Sequence, residues 1–231
     1  MTVTTDPARE TLLDAILPHV AFDGWSEAAF RAAARDAEME LREARAVAPR
    51  GAVDLASDFH RRGDRQMAEA LRAERLDDMR FRNKVARALR VRLDVAGDRE
   101  AVRRASALFA LPVHAAEGAR LIWGTADAVW EALGDPSDDI NWYTKRATLS
   151  GVWTSVVLYW MGDDSVDQQA TDAFIDRRIE DVMRIEKMKA RVNGNPILRP
   201  FVKPFEHLGG MVRPPARMPP VDLPGHWSTG E

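Results

Sequence analysis

The chain has 231 residues, 45% of them hydrophobic and 30% charged, with a formal net charge of −3 and a pI near 6.0. That length can bury a substantial core within one domain, or one domain with a small appendage, and the mild acidity leaves no global basic excess to hold nucleic acid. The absence of cysteine excludes disulfides, thiolate metal sites and thiol catalysis.

Alanine, leucine, arginine and glutamate recur at helical spacing and strand signals are nearly absent, so the chain reads as all-α. The opening MTVTTDPARE has neither the basic start and apolar run of a signal peptide nor an arginine-rich transit composition, which predicts a cytoplasmic location. Behind Asp6-Pro7, the stripe Leu12, Leu13, Ile16, Leu17 and Val20 predicts a first helix that Phe22-Asp23-Gly24 ends. Ser26 caps a second helix, with Ala29, Phe30 and Ala33 inward, and a third covers Glu40 to Val47 before Pro49. Three short helices over residues 1–50 have the layout of a helix-turn-helix module. Its charge argues against DNA, because six arginines face nine carboxylates, a net of three negative charges where phosphates would have to be neutralised. We therefore expect a degenerate module over 1–50 that does not hold DNA.

A longer helix starts near Val53, with Leu55, Phe59, Met67, Ala70 and Leu71 inward and Gly63 as a weak point. Met79 to Val95 is predicted as another, its five arginines on a wet outer face, followed by Glu100 to Leu111 and then Ala116 to Leu133. Gly118 and Gly124 in the last of these would let a neighbouring helix approach closely, while Asp127 belongs at a rim or in solvent. Turn chemistry at Asp135-Pro136-Ser137-Asp138 leads into a helix whose residues 142, 146, 149, 153, 156 and 160 share one face. Residues 147–161 are apolar almost all round, as expected of a central helix. Gly162-Asp163-Asp164 ends it, and a last long helix covers about Asp167 to Val192. No uncharged run reaches the ~18–20 residues that span a bilayer. Domain organisation is thus expected as 1–50, a helical domain over 51–194, an apolar and basic segment over 195–212, and a proline- and glycine-rich disordered tail over 213–231.

Catalytic signals are thin. The five histidines are scattered, His60 reads as a partly exposed helix residue, and the paired acids Asp138-Asp139, Asp163-Asp164 and Glu180-Asp181 are explained as caps and solvated charges. No phosphate loop or nucleophile elbow is present, so neither an enzyme nor a metal or other cofactor is expected. Binding signals are stronger. Leu108, Leu111, Ile122, Trp123, Ala126, Trp130, Leu149, Trp153, Val156 and Trp160 concentrate apolar surface on neighbouring helices, either as a solid core or as the lining of a pocket for a hydrophobic ligand. Adjacent helical residues point about 100° apart, so Trp142 and Tyr143 are hard to bury together. Beside Asp139, Lys145 and Arg146 they have the composition of a protein-interface hot spot.

The stretches LLDAILPHVAFDGWSEAAF (12–30), PRGAVDLASDFHRRGDRQM (49–67), LIWGTADAVWEALGD (121–135), DDINWYTKRATLSGVWTSVVLYW (138–160) and FIDRRIEDVMRIEKMK (174–189) resemble the ninth Coq protein family, the lipid-binding accessory proteins of ubiquinone biosynthesis. That resemblance implies a TetR-like regulator fold that has lost DNA binding, a homodimer, and a pocket for isoprenoid quinone or other lipid. It also implies partnership with the di-iron demethoxyubiquinone hydroxylase through Asp139, Trp142, Tyr143 and Arg146. The lipid contacts would be the ten apolar residues named above. A membrane-facing C-terminal helix would map to 195–212, where Ile197, Leu198, Phe201 and Phe205 supply apolar anchorage among basic residues. Here Pro200, Pro204 and Gly209-Gly210 interrupt the helix, and packing across a dimer mate is the competing reading of the segment. The expectation is a non-catalytic, peripherally membrane-associated lipid carrier at the inner membrane. A ligand-responsive transcriptional regulator is the alternative the fold would share.

Overall fold

The computed structural model describes residues 6–137 and 140–193, with side chains for all of these but 140 and 185–193. All regular structure among them is helical: α1 (Pro7–Asp23), α2 (Glu27–Asp36), α3 (Leu41–Val47), α4 (Ala52–Ala73), α5 (Phe81–Asp94), α6 (Arg99–Ala110), α7 (Ala115–Ala132), α8 (Ile140–Trp160) and α9 (Gln169–Asn193). The caps are local chemistry. Asp6, Ser26 and Asp98 each accept a backbone N–H of the helix they open, and Glu40 with Glu43 forms a capping box on α3. α9 starts later than the sequence predicts, because residues 166–168 form a 3-10 turn in which Asp167 and Gln168 take positive φ.

Two apolar clusters organise the helices. Leu12, Leu13, Ile16, Val20 and Phe30 of the first helices are buried with Leu55 and Ala56 of α4 and Ala101 and Ala105 of α6. The N-terminal helices therefore share a core with the rest of the chain. The second cluster joins Met67, Leu89, Val91, Val129 and Trp130 to Leu149, Val152, Trp153, Val156 and Trp160 of α8 and to Ile175 of α9. On the predicted face of α8, Leu149, Trp153, Val156 and Trp160 are buried, each such apolar side chain stabilising the fold by about 1.5–3 kcal/mol.

Gly118 lets α7 meet α6, since a Cβ there would lie 2.8 Å from Phe109 Cβ and 3.1 Å from its carbonyl oxygen. Gly124 plays no such part, as a Cβ there would meet nothing within 4 Å. Arg92 departs from its predicted wet face. It is 4% exposed and points inward from α5, and Gly63 leaves the room its guanidinium occupies.

Candidate functional site: an apolar cavity beside an aromatic corner

A cavity of about 820 Å³ lies among the helices, within the size range of pockets that enclose small ligands. Its lining comes from α1 (Leu17), α4 (Phe59, His60, Gly63), the end of α5 (Arg92, Leu93), α6 (Val102, Ala105, Phe109), α7 (Leu121, Ile122) and α8 (Trp153, Val157, Leu158, Trp160). Of the ten predicted pocket residues, Ile122, Trp153 and Trp160 line it. The others lie elsewhere, for reasons of helical phase. Ala126, Leu149 and Val156 are buried in the core behind the wall, and Trp130 packs there against Phe81 with ring centroids 5.5 Å apart. Leu108 packs on the N-terminal cluster, Leu111 is half exposed just past the end of α6, and Trp123 belongs to the corner described below.

One side of the cavity wall is polar. Arg92 Nε donates to Asp64 Oδ1 at 2.7 Å and its Nη2 to the His60 carbonyl at 2.9 Å, and the guanidinium lies 5.4 Å from the Trp153 ring centre. Thr125 Oγ1 donates to Asp64 Oδ1 at 2.8 Å, so the His60 Nε2 that sits 2.8 Å from that hydroxyl is the donor of the pair. Burial pushes His60 down to about 4, a tendency Arg92 assists and Asp64 opposes. His60 is partly exposed, as its sequence position predicts, and what the sequence does not show is the polar group it joins. Histidine, threonine and aspartate here lack the geometry of a nucleophilic triad: Thr125 is fully buried and stands between the other two. Nothing in the composition or spacing flags this group. Gly63, one turn from His60 and one helix from Arg92, is its nearest sequence signal.

The corner lies where α7 and α8 meet. Trp142 and Tyr143 are both half-buried, their rings 4.8 Å apart and edge-on at 76°. Trp123 of α7 completes the group at 6.1 Å from Trp142 and 6.4 Å from Tyr143. Arg146, expected to face a partner, is instead 1% exposed. It lies under the Trp142 ring at 4.0 Å and donates to Asp127 Oδ1 at 2.5 Å, to Asp135 Oδ2 at 3.3 Å and to the Trp142 carbonyl at 3.2 Å. A lone buried guanidinium would be costly, and these acceptors are what let it stay there. Asp127, expected at a rim or in solvent, serves as its partner. Lys145 Nζ donates to Asp135 Oδ1 and Ser137 Oγ, both at 2.6 Å. Burial works to raise the Asp135 carboxyl, but the bonds from Lys145, Ser137 and Arg146 outweigh it and hold it below its ordinary value. Asp139, Ile197, Leu198, Phe201 and Phe205 lie outside the described residues.

Residues 115–186, which take in this corner, the rest of α7 and α8, and most of α9, match COQ9. The ubiquinone biosynthesis protein COQ9 of Drosophila melanogaster is 27% identical over 197 residues, covering 82% of this chain and 59% of that protein. Over these residues the chain is similar to the COQ9 family. COQ9 of Rattus norvegicus is 38% identical over 82 residues, which is 36% of this chain and 26% of the rat protein. The chain thus spans less than two thirds of the length of these COQ9 relatives, whose names mark them as mitochondrial. A TetR transcriptional regulator from Nitrosomonas europaea superposes with a TM-score of 0.63 at 19% identity, covering 76% of this chain and 97% of the regulator. The chain therefore has a TetR-like helical fold.

Proposed function

We propose that the protein is a non-catalytic accessory factor of ubiquinone biosynthesis that holds an isoprenoid quinone intermediate, or a related lipid, and presents it to the demethoxyubiquinone hydroxylase. The observation that carries this reading is the cavity, about 820 Å³ and largely apolar, with α7 and α8 forming both part of its wall and the aromatic corner. Cargo and partner surface would then share two helices. Trp142 and Tyr143 supply the contact surface, Asp139 extends it, and Arg146 acts from beneath by fixing the Trp142 ring. Leu158 and Tyr159, exposed on α8 beside Phe174, and Met183 on α9 favour a homodimer through those helices. Among the described residues no helix is long and apolar enough to cross a membrane, and peripheral attachment through 195–212 is proposed for reaching a lipid donor.

The regulator reading is disfavoured by charge. Arg9, Arg31, Arg45 and Arg50 of the N-terminal module all pair with carboxylates of the chain itself, Arg50 to Asp54 and Glu117, each at 2.6 Å. Cations so committed do little for a phosphate backbone. Organic extraction and mass spectrometry of protein purified without detergent test the proposal. Co-purifying isoprenoid or other lipid is expected, and lipid-free protein that also takes up none from vesicles would overturn it.

A further inference from the structure

The polar group on the cavity wall is more than a core fastening. Arg92 is a buried cation beside an apolar space, and Asp64 and the His60 carbonyl account for its Nε and Nη2. Its Nη1 has no hydrogen-bond partner among the described residues. Gly63, also on the cavity lining, leaves the room this nitrogen occupies: a Cβ at 63 would stand 2.5 Å from it. An unpartnered N–H at an apolar wall gains from an acceptor that a ligand brings.

Resting on the lipid-carrier reading above, we propose that Arg92 is the head-group site of the cavity, and that its Nη1 donates to a neutral oxygen acceptor at the end of an apolar tail. A quinone carbonyl fits this description and a carboxylate or phosphate does not. The reason is charge balance. Arg92 and Asp64 cancel each other, and His60 stays neutral near pH 7 because burial holds its proton affinity low. Of the other charged groups on the lining, Asp14 and Arg62 pair with each other at 2.5 Å, and Asp98 caps α6. An anionic head would therefore add an unbalanced buried charge, whereas a neutral acceptor adds a hydrogen bond alone. Asp64, with Thr125 and His60 behind it, acts as a positioning group that holds the guanidinium beside Trp153 at the cavity wall.

The test compares three probes with one tail on the full-length protein at pH 7.5, read by quenching of tryptophan fluorescence: farnesyl-1,4-benzoquinone, farnesylbenzene and 4-farnesylbenzoate. The quinone is expected to bind about tenfold tighter than farnesylbenzene, the scale of one hydrogen bond to a charged donor, and at least as tightly as the benzoate. In the double variant Asp64→Leu/Arg92→Met, which removes the ion pair as a unit, the quinone should lose that advantage while farnesylbenzene binds as before. Should that variant not fold, Arg92→Lys gives the same readout with the charge retained. Equal binding of quinone and farnesylbenzene to the wild type, or an unchanged preference in the variant, overturns the head-group site and leaves the lipid cavity standing. A benzoate bound about tenfold tighter than the quinone overturns the neutrality argument. Failure of all three to bind sinks the lipid-carrier reading itself.

Discussion

Mild acid should destabilise this protein through His60 before its carboxylates begin to protonate. The ring is 21% exposed, packed between α4 and α7, with Asp64 and Arg61 on its own helix and Arg92 arriving from α5. Burial lowers its pKa from an ordinary 6.5 to about 4. Between those values the unfolded chain binds the proton and the folded chain does not, so stability rises with pH across that window. The contribution is fully present above 6.5, falls by about 2 kcal/mol by pH 5, and is exhausted at about 3 kcal/mol below pH 4. Carboxylates held low act in a more acidic range. Glu117, lowered to about 2 chiefly by its hydrogen bond from Arg50, starts to cost stability only as pH falls through its unfolded value of 4.5. Asp163, held well below the carboxylate range by Ser165 and Thr171, behaves in the same way. Urea unfolding of the wild type and of His60→Gln, whose amide cannot titrate but can still donate to Thr125, separates the two windows. From pH 7.5 to pH 5 the wild-type midpoint should fall by on the order of 1 M and the variant's by much less, at unchanged slope. Equal losses in both proteins would refute the assignment of a neutral His60.

Five further outcomes are expected. Gly118→Ala should destabilise by about 1–3 kcal/mol despite the better helix propensity of alanine, because the methyl meets Phe109 backbone and Cβ. Gly124→Ala, which meets nothing, should gain up to about 1 kcal/mol, and thermal melts of the pair check both. Arg146→Ala should cost about 3 kcal/mol or more by breaking a buried ion-pair group with Asp127 and Asp135, whereas Trp142→Ala should leave the melting temperature nearly unchanged while weakening capture of the purified hydroxylase; a large stability loss with unchanged capture would move Trp142 to the core. Truncation after Gly194 should reduce flotation with anionic liposomes, and equal flotation would remove 195–212 from the membrane proposal.

Helical class, the order of the elements and the buried face of α8 are all legible in the sequence, because each depends on periodicity and capping within a few turns. The acidity of the first fifty residues is legible for the same reason, being a count. The stretch around Trp142 and Tyr143 also stands out in the sequence, as an aromatic pair beside a basic pair at a helix start. What no local pattern carries is the phase of one helix against another. It places Trp123 at the corner and Trp130 in the core, although both belong to one apolar run, and it buries Arg92 and Arg146, which composition assigns to solvent and to a partner.

The polar wall of the cavity illustrates the same division most sharply. Asp64, Arg92 and Thr125 come from three helices, and their meeting depends on a glycine at one crossing and on the depth at which α5 and α7 pack. The sequence by itself determined a bundle of amphipathic helices around an aromatic centre, because burial of apolar stripes dictates that much. Only the tertiary structure decided that the centre is hollow and that a paired cation faces the hollow, because a cavity is the volume that the packing of several helices leaves unfilled.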